Sequence, residues 1–190
     1  MQTKPFLLLF LAAFLAMGAV SLATELPIPP KGYAWVKCAE TKSEFLKPDG
    51  WFFKKGKQGD IHGYFITKEN IDQTGRFFTG LTVNIIPHIP KKKGMSPTQY
   101  AIAYIQSAAK ARDVVKKQWS QDMGPFQAFG VVLRNRDSFS GDFITHNLAI
   151  GNDATGTCYL ITFEAPASSW DSAWTLGEQM LQCFLIDSDI

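Results

Sequence analysis

The sequence predicts an α+β domain, in which helices pack on an antiparallel β-sheet. Many short runs rich in β-branched and aromatic residues follow one another, separated by turns that contain Gly, Asp or Asn. Two other segments repeat their apolar residues at the spacing of a helix. The order is therefore several strands, a helix, three strands and a second helix. Elements in this order bury their apolar faces by stacking helices on a sheet.

The first residues have the pattern of a secretory signal peptide over positions 1–23. Lys4 precedes an apolar stretch from Phe6 to about Val20, and Ser21 and Ala23 are the small residues expected before a cleavage site. We therefore predict cleavage near Ala23 and a mature protein outside the cytoplasm, in the periplasm. The alternative is an uncleaved N-terminal anchor, for which the apolar stretch is short.

The rest of the chain has the composition of one packed and nearly neutral domain. The 190 residues contain 19 Lys and Arg against 17 Asp and Glu, and Lys4 is the one charged residue before position 24, so the mature formal charge is +1. Such a charge offers no electrostatic basis for binding nucleic acid. Hydrophobic residues make up 46% and aromatic residues 13% of the chain, which is enough for a core. We predict a Pro-rich lead-in at 24–32 and a single domain at 33–190.

The first half of this domain is predicted to contain five strands. In order, they are YAWVKC from Tyr33, EFL, WFFKK, GYFITKE and RFFTGLTVNIIPHI. Pro48 and Gly50 are typical turn residues between the second and third strands. Trp51 is expected to pack on the core, with a ligand-facing position as the alternative. Pro87 cannot donate to a ladder, which predicts that its end of the fifth strand lies at a sheet edge.

A strong helix signal begins at Ser96. Ser96 and Gln99 have the spacing of a capping box, and Pro97 suits the first helical position. One apolar stripe then recurs every three or four residues: Tyr100, Tyr104, Ala108, Ala111, Val115 and Trp119. We therefore predict a helix that runs from Pro97 through Trp119 and packs this stripe on the core. The basic residues Lys110, Arg112, Lys116 and Lys117 lie largely off the stripe.

Three further strands and a second helix complete the domain. The strands FQAFGVVLRNRD, GDFITHNLAIG and GTCYLITFEAP are joined by turns of hairpin length, which predicts an antiparallel meander. The helix begins after Ser168 or Ser169, and its apolar face is Trp170, Trp174, Gly177, Leu181 and Phe184. Gly177 lowers the helix propensity by about 1 kcal/mol relative to Ala. We expect the helix backbone to approach the sheet closely at this glycine.

Several of these pieces resemble the PsbP/Mog1-like domain group. They are EFLKPDGW followed by FF, the strand FFTGLTVNIIP, the capped helix, and the final strands with SSWDSAW and MLQCF. The resemblance covers Tyr33 to Phe184 and implies an α/β/α sandwich around an antiparallel sheet. It also implies an accessory or binding protein, since the group includes photosystem subunits, a GTPase-binding nuclear factor and bacterial envelope proteins. It supplies no catalytic motif.

The residues themselves give no enzyme signature. The sequence contains no nucleophile-elbow, zinc-protease or nucleotide-binding motif. A hydrolase is supported only by the general presence of Ser, His and Asp. We therefore predict a non-enzymatic protein and no cofactor.

The metal hypothesis is that a divalent metal binds to Asp60, His62 and His146. Asp60 and His62 are two residues apart and so share one face of a strand, and carboxylate with imidazole suits divalent metals. The alternative is that each histidine is an ordinary surface or hydrogen-bonded residue. With this site, or a related small-molecule site, the chain would be a ligand-binding protein of the envelope.

The partner hypothesis is that a binding partner contacts Lys91, Lys92 and Lys93. They follow a strand and precede the capped helix, and they can attract an acidic envelope protein or an anionic membrane surface. The alternative is a solvated loop. The first functional hypothesis is therefore an accessory protein that binds a partner through a sheet edge and these lysines.

Cys38, Cys158 and Cys183 allow at most one intramolecular disulfide, which can form in three ways. The alternative is buried free thiols. Their spacing matches no zinc site.

Overall fold

The computed structural model describes residues 26–137 and 141–189. The predicted signal peptide lies outside these residues, and so does most of the turn between the first two strands of the meander, at 138–140. Within the described residues, no helix is long and apolar enough to cross a membrane.

The described residues form nine strands and four α-helices. The strands are β1 (Tyr33–Cys38), β2 (Ser43–Pro48), β3 (Phe52–Gln58), β4 (Ile61–Thr67), β5 (Gly80–Ile86), β6 (Asp113–Met123), β7 (Phe126–Asp137), β8 (Gly141–Asn152) and β9 (Thr157–Pro166). The helices are α1 (Ile71–Thr74), α2 (Ile89–Lys93), α3 (Pro97–Lys110) and α4 (Trp170–Gln182).

Seven of the strands form one antiparallel sheet in the order β3-β4-β5-β9-β8-β7-β6. The remaining two, β1 and β2, pair with each other as a separate hairpin. The three-stranded meander predicted from the sequence is β7-β8-β9, and it lies in the middle and at one side of the sheet. The sheet therefore has two edges, β3 and β6.

The sheet buries both of its faces, and β9 shows how. Cys158 and Leu160 point into a core under α3, whereas Tyr159, Ile161 and Phe163 point into a second core under α4 and the β1–β2 hairpin. Adjacent side chains of a strand point to opposite faces, so a near-continuous apolar run fits a strand that is covered on both sides. This arrangement confirms the predicted α+β class and the α/β/α sandwich.

The turn KPDGW has the structural role expected of it. The backbone N–H of Trp51 donates to the carbonyl of Pro48 over 3.1 Å, and Gly50 has a φ of 76°, which glycine adopts without strain. The turn takes the chain from the small hairpin into the large sheet. Trp51 is partly buried against the core on the α4 side, as predicted.

The first long helix is shorter than predicted. The capping box of Ser96 and Gln99 is present, but α3 ends at Lys110, and Asp113–Met123 is the strand β6. The prediction of a helix through Trp119 was wrong because a spacing of four residues fits the strand period of two as well as the helix period. Val114 and Val115 are β-branched and favour the strand.

The prediction that Pro87 lies at a sheet edge was also wrong. Pro87 directly follows the last paired residue of β5, Ile86, but β5 lies between β4 and β9 and is not an edge strand. The proline ends the ladder instead of marking the border of the sheet, because the chain leaves the sheet there to form α2.

Candidate functional site

A cleft between α4 and the β6 side of the sheet is the candidate functional site. It has a volume of about 490 Å³. Its residues come from three elements: Trp119, Lys116 and Lys117 from β6, His146 from β8, and Trp174 and Glu178 from α4. The cleft lies on the α4 face of the sheet, near the edge strand.

Gly130 of β7 allows β6 and β8 to share this cleft. It is the cross-strand partner of Trp119, and the indole lies so close that a Cβ at Gly130 would be 2.3 Å from the ring. A glycine within a strand often marks such a close approach. The indole thereby extends from the edge strand over β7 toward His146 on β8, and the two rings meet edge to face with centroids 6.3 Å apart.

Three aromatic rings form a stack along the α4 wall. The His146 and Trp174 rings are 4.7 Å apart and within 9° of parallel, and Trp174 stacks in turn on Trp170 at 5.2 Å and 13°. Trp170 and Trp174 are four residues apart on α4 and so lie on one helix face. The stack fixes the orientation of the imidazole.

His146 is held in its neutral form. Burial, together with a smaller effect of the charge of Lys116, lowers the pKa of its imidazole from the usual 6.5 to about 4. Its Nδ1 atom is buried and has no hydrogen-bond partner among the described residues. Leaving a buried polar atom unpaired costs about 1–3 kcal/mol. Because this atom is buried, a molecule in the open cleft meets the imidazole ring and not Nδ1.

The rim of the cleft is basic on the β6 side. The β6–β7 ladder shifts register between Val114 and Lys116 and again between Lys116 and Trp119, so this part of β6 is bulged. A bulge re-aims side chains, and consecutive residues Lys116 and Lys117 both line the cleft. Neither has a carboxylate within ion-pair distance in the described part of the chain, although Glu178 lies across the cleft on α4.

The residues of the metal hypothesis do not come together. Asp60 lies in the turn between β3 and β4 and accepts a hydrogen bond from Lys92 over 2.6 Å. The row of cross-strand partners that starts at His62 reaches β8 at Ile150, four residues and three strands from His146, which separates the histidines by about 20 Å. No group of three potential metal ligands occurs among the described residues.

The lysines of the partner hypothesis lie on α2. All three are exposed, and two of them contact neighbouring elements. Lys92 forms an ion pair with Asp60, and the Lys93 ammonium lies 5.9 Å from the centre of the Tyr100 ring. These contacts tie α2 to the β3–β4 turn and to α3. They give Lys92 and Lys93 a structural role, and binding of a partner by the three lysines stays a prediction.

The three cysteines are free thiols. Cys38 and Cys158 lie in different cores, on opposite faces of the sheet. Cys183 is partly buried just after α4 and accepts a hydrogen bond from Gln179 Nε2 over 3.2 Å. Burial raises the pKa of Cys38 to about 11 and that of Cys158 to about 12, so both are poor nucleophiles.

Sequence reasoning selected His146 but assigned Trp119 and Trp174 to core stripes. Both tryptophans do contact the core, yet they also form the two walls of the cleft. Gly130 was the available signal, since a glycine in the middle of an apolar strand indicates that something large lies against it.

The fold is similar to known structures, whereas the sequence is not similar to known families. No family model matches the chain, and no curated protein matches its sequence. The cyanobacterial PsbP protein CyanoP of Synechocystis sp. PCC 6803 has a TM-score of 0.52 at 12% identity, over 87% of this chain and 99% of that chain. The chain therefore has the PsbP/Mog1-like fold, as the resemblance implied.

Two further structures match with lower scores. The Ran-binding protein Mog1p of Saccharomyces cerevisiae has a TM-score of 0.48 at 10% identity, over 81% of this chain and 95% of that chain. Protein PA94 of Pseudomonas aeruginosa, of unknown function, has a TM-score of 0.46 at 13% identity, over 82% and 96% of the two chains.

Proposed function

We propose that this chain is an exported, non-enzymatic binding protein whose cleft between β6, β8 and α4 holds a small, largely apolar molecule. One observation carries the proposal: the rings of Trp119, Trp174 and His146 line a single open cleft of about 490 Å³. A molecule that covers these rings would remove their exposed apolar surface from water, which stabilises the bound state.

The cleft has the properties of a small-molecule site. Its volume of about 490 Å³ lies within the range of about 300–1,000 Å³ that is usual for such sites. Two tryptophans and Leu148 supply apolar surface, and the His146 ring lies beside them. Although several lining residues are polar, the exposed surface of the cleft is mostly apolar, which is typical of a ligand pocket.

The same residues favour binding over catalysis. The cleft-lining side chains, all within the described part of the chain, include no Ser, Thr or Cys. Lys116, Lys117 and Glu178 are exposed, whereas a lysine that acts as a nucleophile is usually desolvated. The low pKa of His146 makes it a weak base at neutral pH, because a general base works best with a pKa near the working pH. The metal form of the hypothesis lacks a ligand cluster within the described residues.

Export is supported by the pattern of the first 23 residues. The expected N-terminal residue of the protein isolated from its native cells is Thr24. An intact protein mass that includes residues 1–23 would contradict this part of the proposal.

Titration with N-phenyl-1-naphthylamine, a neutral fluorophore that brightens in apolar sites, tests the cleft. We expect saturable binding at a single site, with an affinity about tenfold lower in Trp119→Ala, because that variant removes an aromatic wall. The matched control is Phe52→Ala, which removes a half-exposed aromatic ring from the opposite edge strand, β3. Absence of binding, or equal losses in both variants, would contradict the proposal.

A further inference from the structure

We propose that the ligand of this cleft is a flat aromatic molecule with one anionic group, such as an aromatic carboxylate or sulfonate. Its anionic group binds Lys116 and Lys117. This inference rests on the proposed function, since it names the ligand class of the same site. Three features carry it: the two lysines on the rim, the neutral imidazole inside, and the planar walls.

The bulge in β6 accounts for the basic rim. In a regular strand, Lys116 and Lys117 would point to opposite faces of the sheet. The two register shifts between Val114 and Trp119 break this alternation, and both lysines line the cleft. β-Bulges often occur where a side chain must be redirected toward a site.

The charges around the cleft favour an anion. Both lysines are exposed and lack an ion pair within the described residues, and Glu178 is the one carboxylate among the cleft-lining residues. His146 adds no charge at neutral pH, since it is buried among apolar groups. The cleft thus has a net positive charge of one, placed at its rim on the β6 side.

The walls favour a flat molecule. Trp174 is held between Trp170 and His146 in a near-parallel stack, so its ring cannot easily turn. Trp119, which also lines the cleft, rests against Gly130 of β7. Because Trp170 and His146 cover the faces of Trp174, an aromatic molecule meets that ring at its edge. Edge-to-face contacts of this kind favour a molecule with a flat aromatic face.

A pair of probes distinguishes the contribution of the anionic group to the affinity from that of the aromatic rings. 8-Anilino-1-naphthalenesulfonate and N-phenyl-1-naphthylamine share one ring skeleton, and only the former has a sulfonate. We expect the sulfonate probe to bind about tenfold more tightly at low salt, because two exposed lysines each contribute a modest attraction. This preference should decrease as salt screens the charges.

The double variant Lys116→Gln/Lys117→Gln should reduce the ratio of the two affinities to about one. The control Lys91→Gln/Lys93→Gln removes the same charge from α2 and should leave the ratio unchanged. In each case, weaker binding of the probe to Trp119→Ala identifies this cleft as the site.

The outcomes distinguish the two proposals. Equal affinities of the two probes in the wild type, or a preference that survives Lys116→Gln/Lys117→Gln, would overturn the anion proposal and leave the binding function in place. Failure of both probes to bind would overturn both.

Discussion

His146 is one of three histidines, and its surroundings on β8 and α4 set its chemistry. The sequence suggested a metal ligand because imidazole commonly binds metals. In the fold, Trp119 and Trp174 pack around the ring, and Lys116, Lys117 and Glu178 are the charged groups that face it. A buried imidazole among apolar rings stays neutral, so it contributes an uncharged aromatic surface to the cleft.

The low pKa of His146 predicts a loss of stability in mild acid. The unfolded chain takes up a proton on this residue near pH 6.5, whereas the folded chain does so only near pH 4. The free energy of unfolding should therefore fall as the pH decreases from about 6.5 to 4, by at most about 3 kcal/mol. Urea denaturation at several pH values measures this change.

His146→Phe is the matched variant, because it keeps a ring in the stack and removes the titrating group. Its stability should vary less than that of the wild type between pH 6.5 and 5. Identical pH profiles of the two proteins would show that His146 is not buried in its neutral form.

At the scale of elements, the sequence predicted most strands and the start of both long helices. Turn residues and caps are local signals, and these placed β1 to β5, β7 to β9, and the N-terminal ends of α3 and α4. The end of α3 was missed because no glycine or proline marks it, and because Val115 and Trp119 fit either period. Only pairing with β7 determines that this segment is a strand.

The α4–sheet contact yields a second prediction. Gly177 was expected to allow close approach, and a Cβ at this position would indeed lie 2.7 Å from the ring of Phe163, which is fully buried. Gly177→Ala should gain helix propensity but lose more by displacing that ring, with a net destabilisation of about 1–3 kcal/mol. Urea denaturation at neutral pH measures the change.

Thr175→Ala controls for propensity on the same helix. Thr175 is exposed, and its substitution should change the stability by less than about 0.5 kcal/mol. A Gly177→Ala protein that is more stable than the wild type would mean that α4 can move away from the sheet at little cost.

At the scale of the whole molecule, the sheet separates two cores, and this separation limits which cysteines can form a disulfide. Cys38 and Cys158 face different cores, so the cross-pairing of these two is blocked by the sheet itself. The sequence left three pairings open because residue spacing contains no information about which face a strand presents.

Thiol titration with Ellman's reagent tests this arrangement without added reductant. In the native protein, one thiol, that of Cys183, should react readily, since Cys38 and Cys158 are at most 1% exposed. Three thiols should react after unfolding in guanidinium chloride, and the native reaction should disappear in Cys183→Ser. A single reactive thiol after unfolding would instead reveal a disulfide.

The candidate site also forms only in the complete fold. Trp119 lies on an edge strand, His146 on an interior strand and Trp174 on a helix, and only the complete sheet order brings them together. The sequence therefore predicted one of the three residues by its chemical type and none of their contacts.

The segment after α4 fastens the β1–β2 hairpin to the rest of the molecule. The backbone groups of Leu185 and Glu44 exchange two hydrogen bonds of 2.8 Å, and Lys42 forms an ion pair with Asp187 over 3.3 Å. These contacts join positions about 140 residues apart, and contacts over such separations are slow to form. During synthesis, the hairpin emerges first but cannot complete its docking until the segment after α4 has also been made.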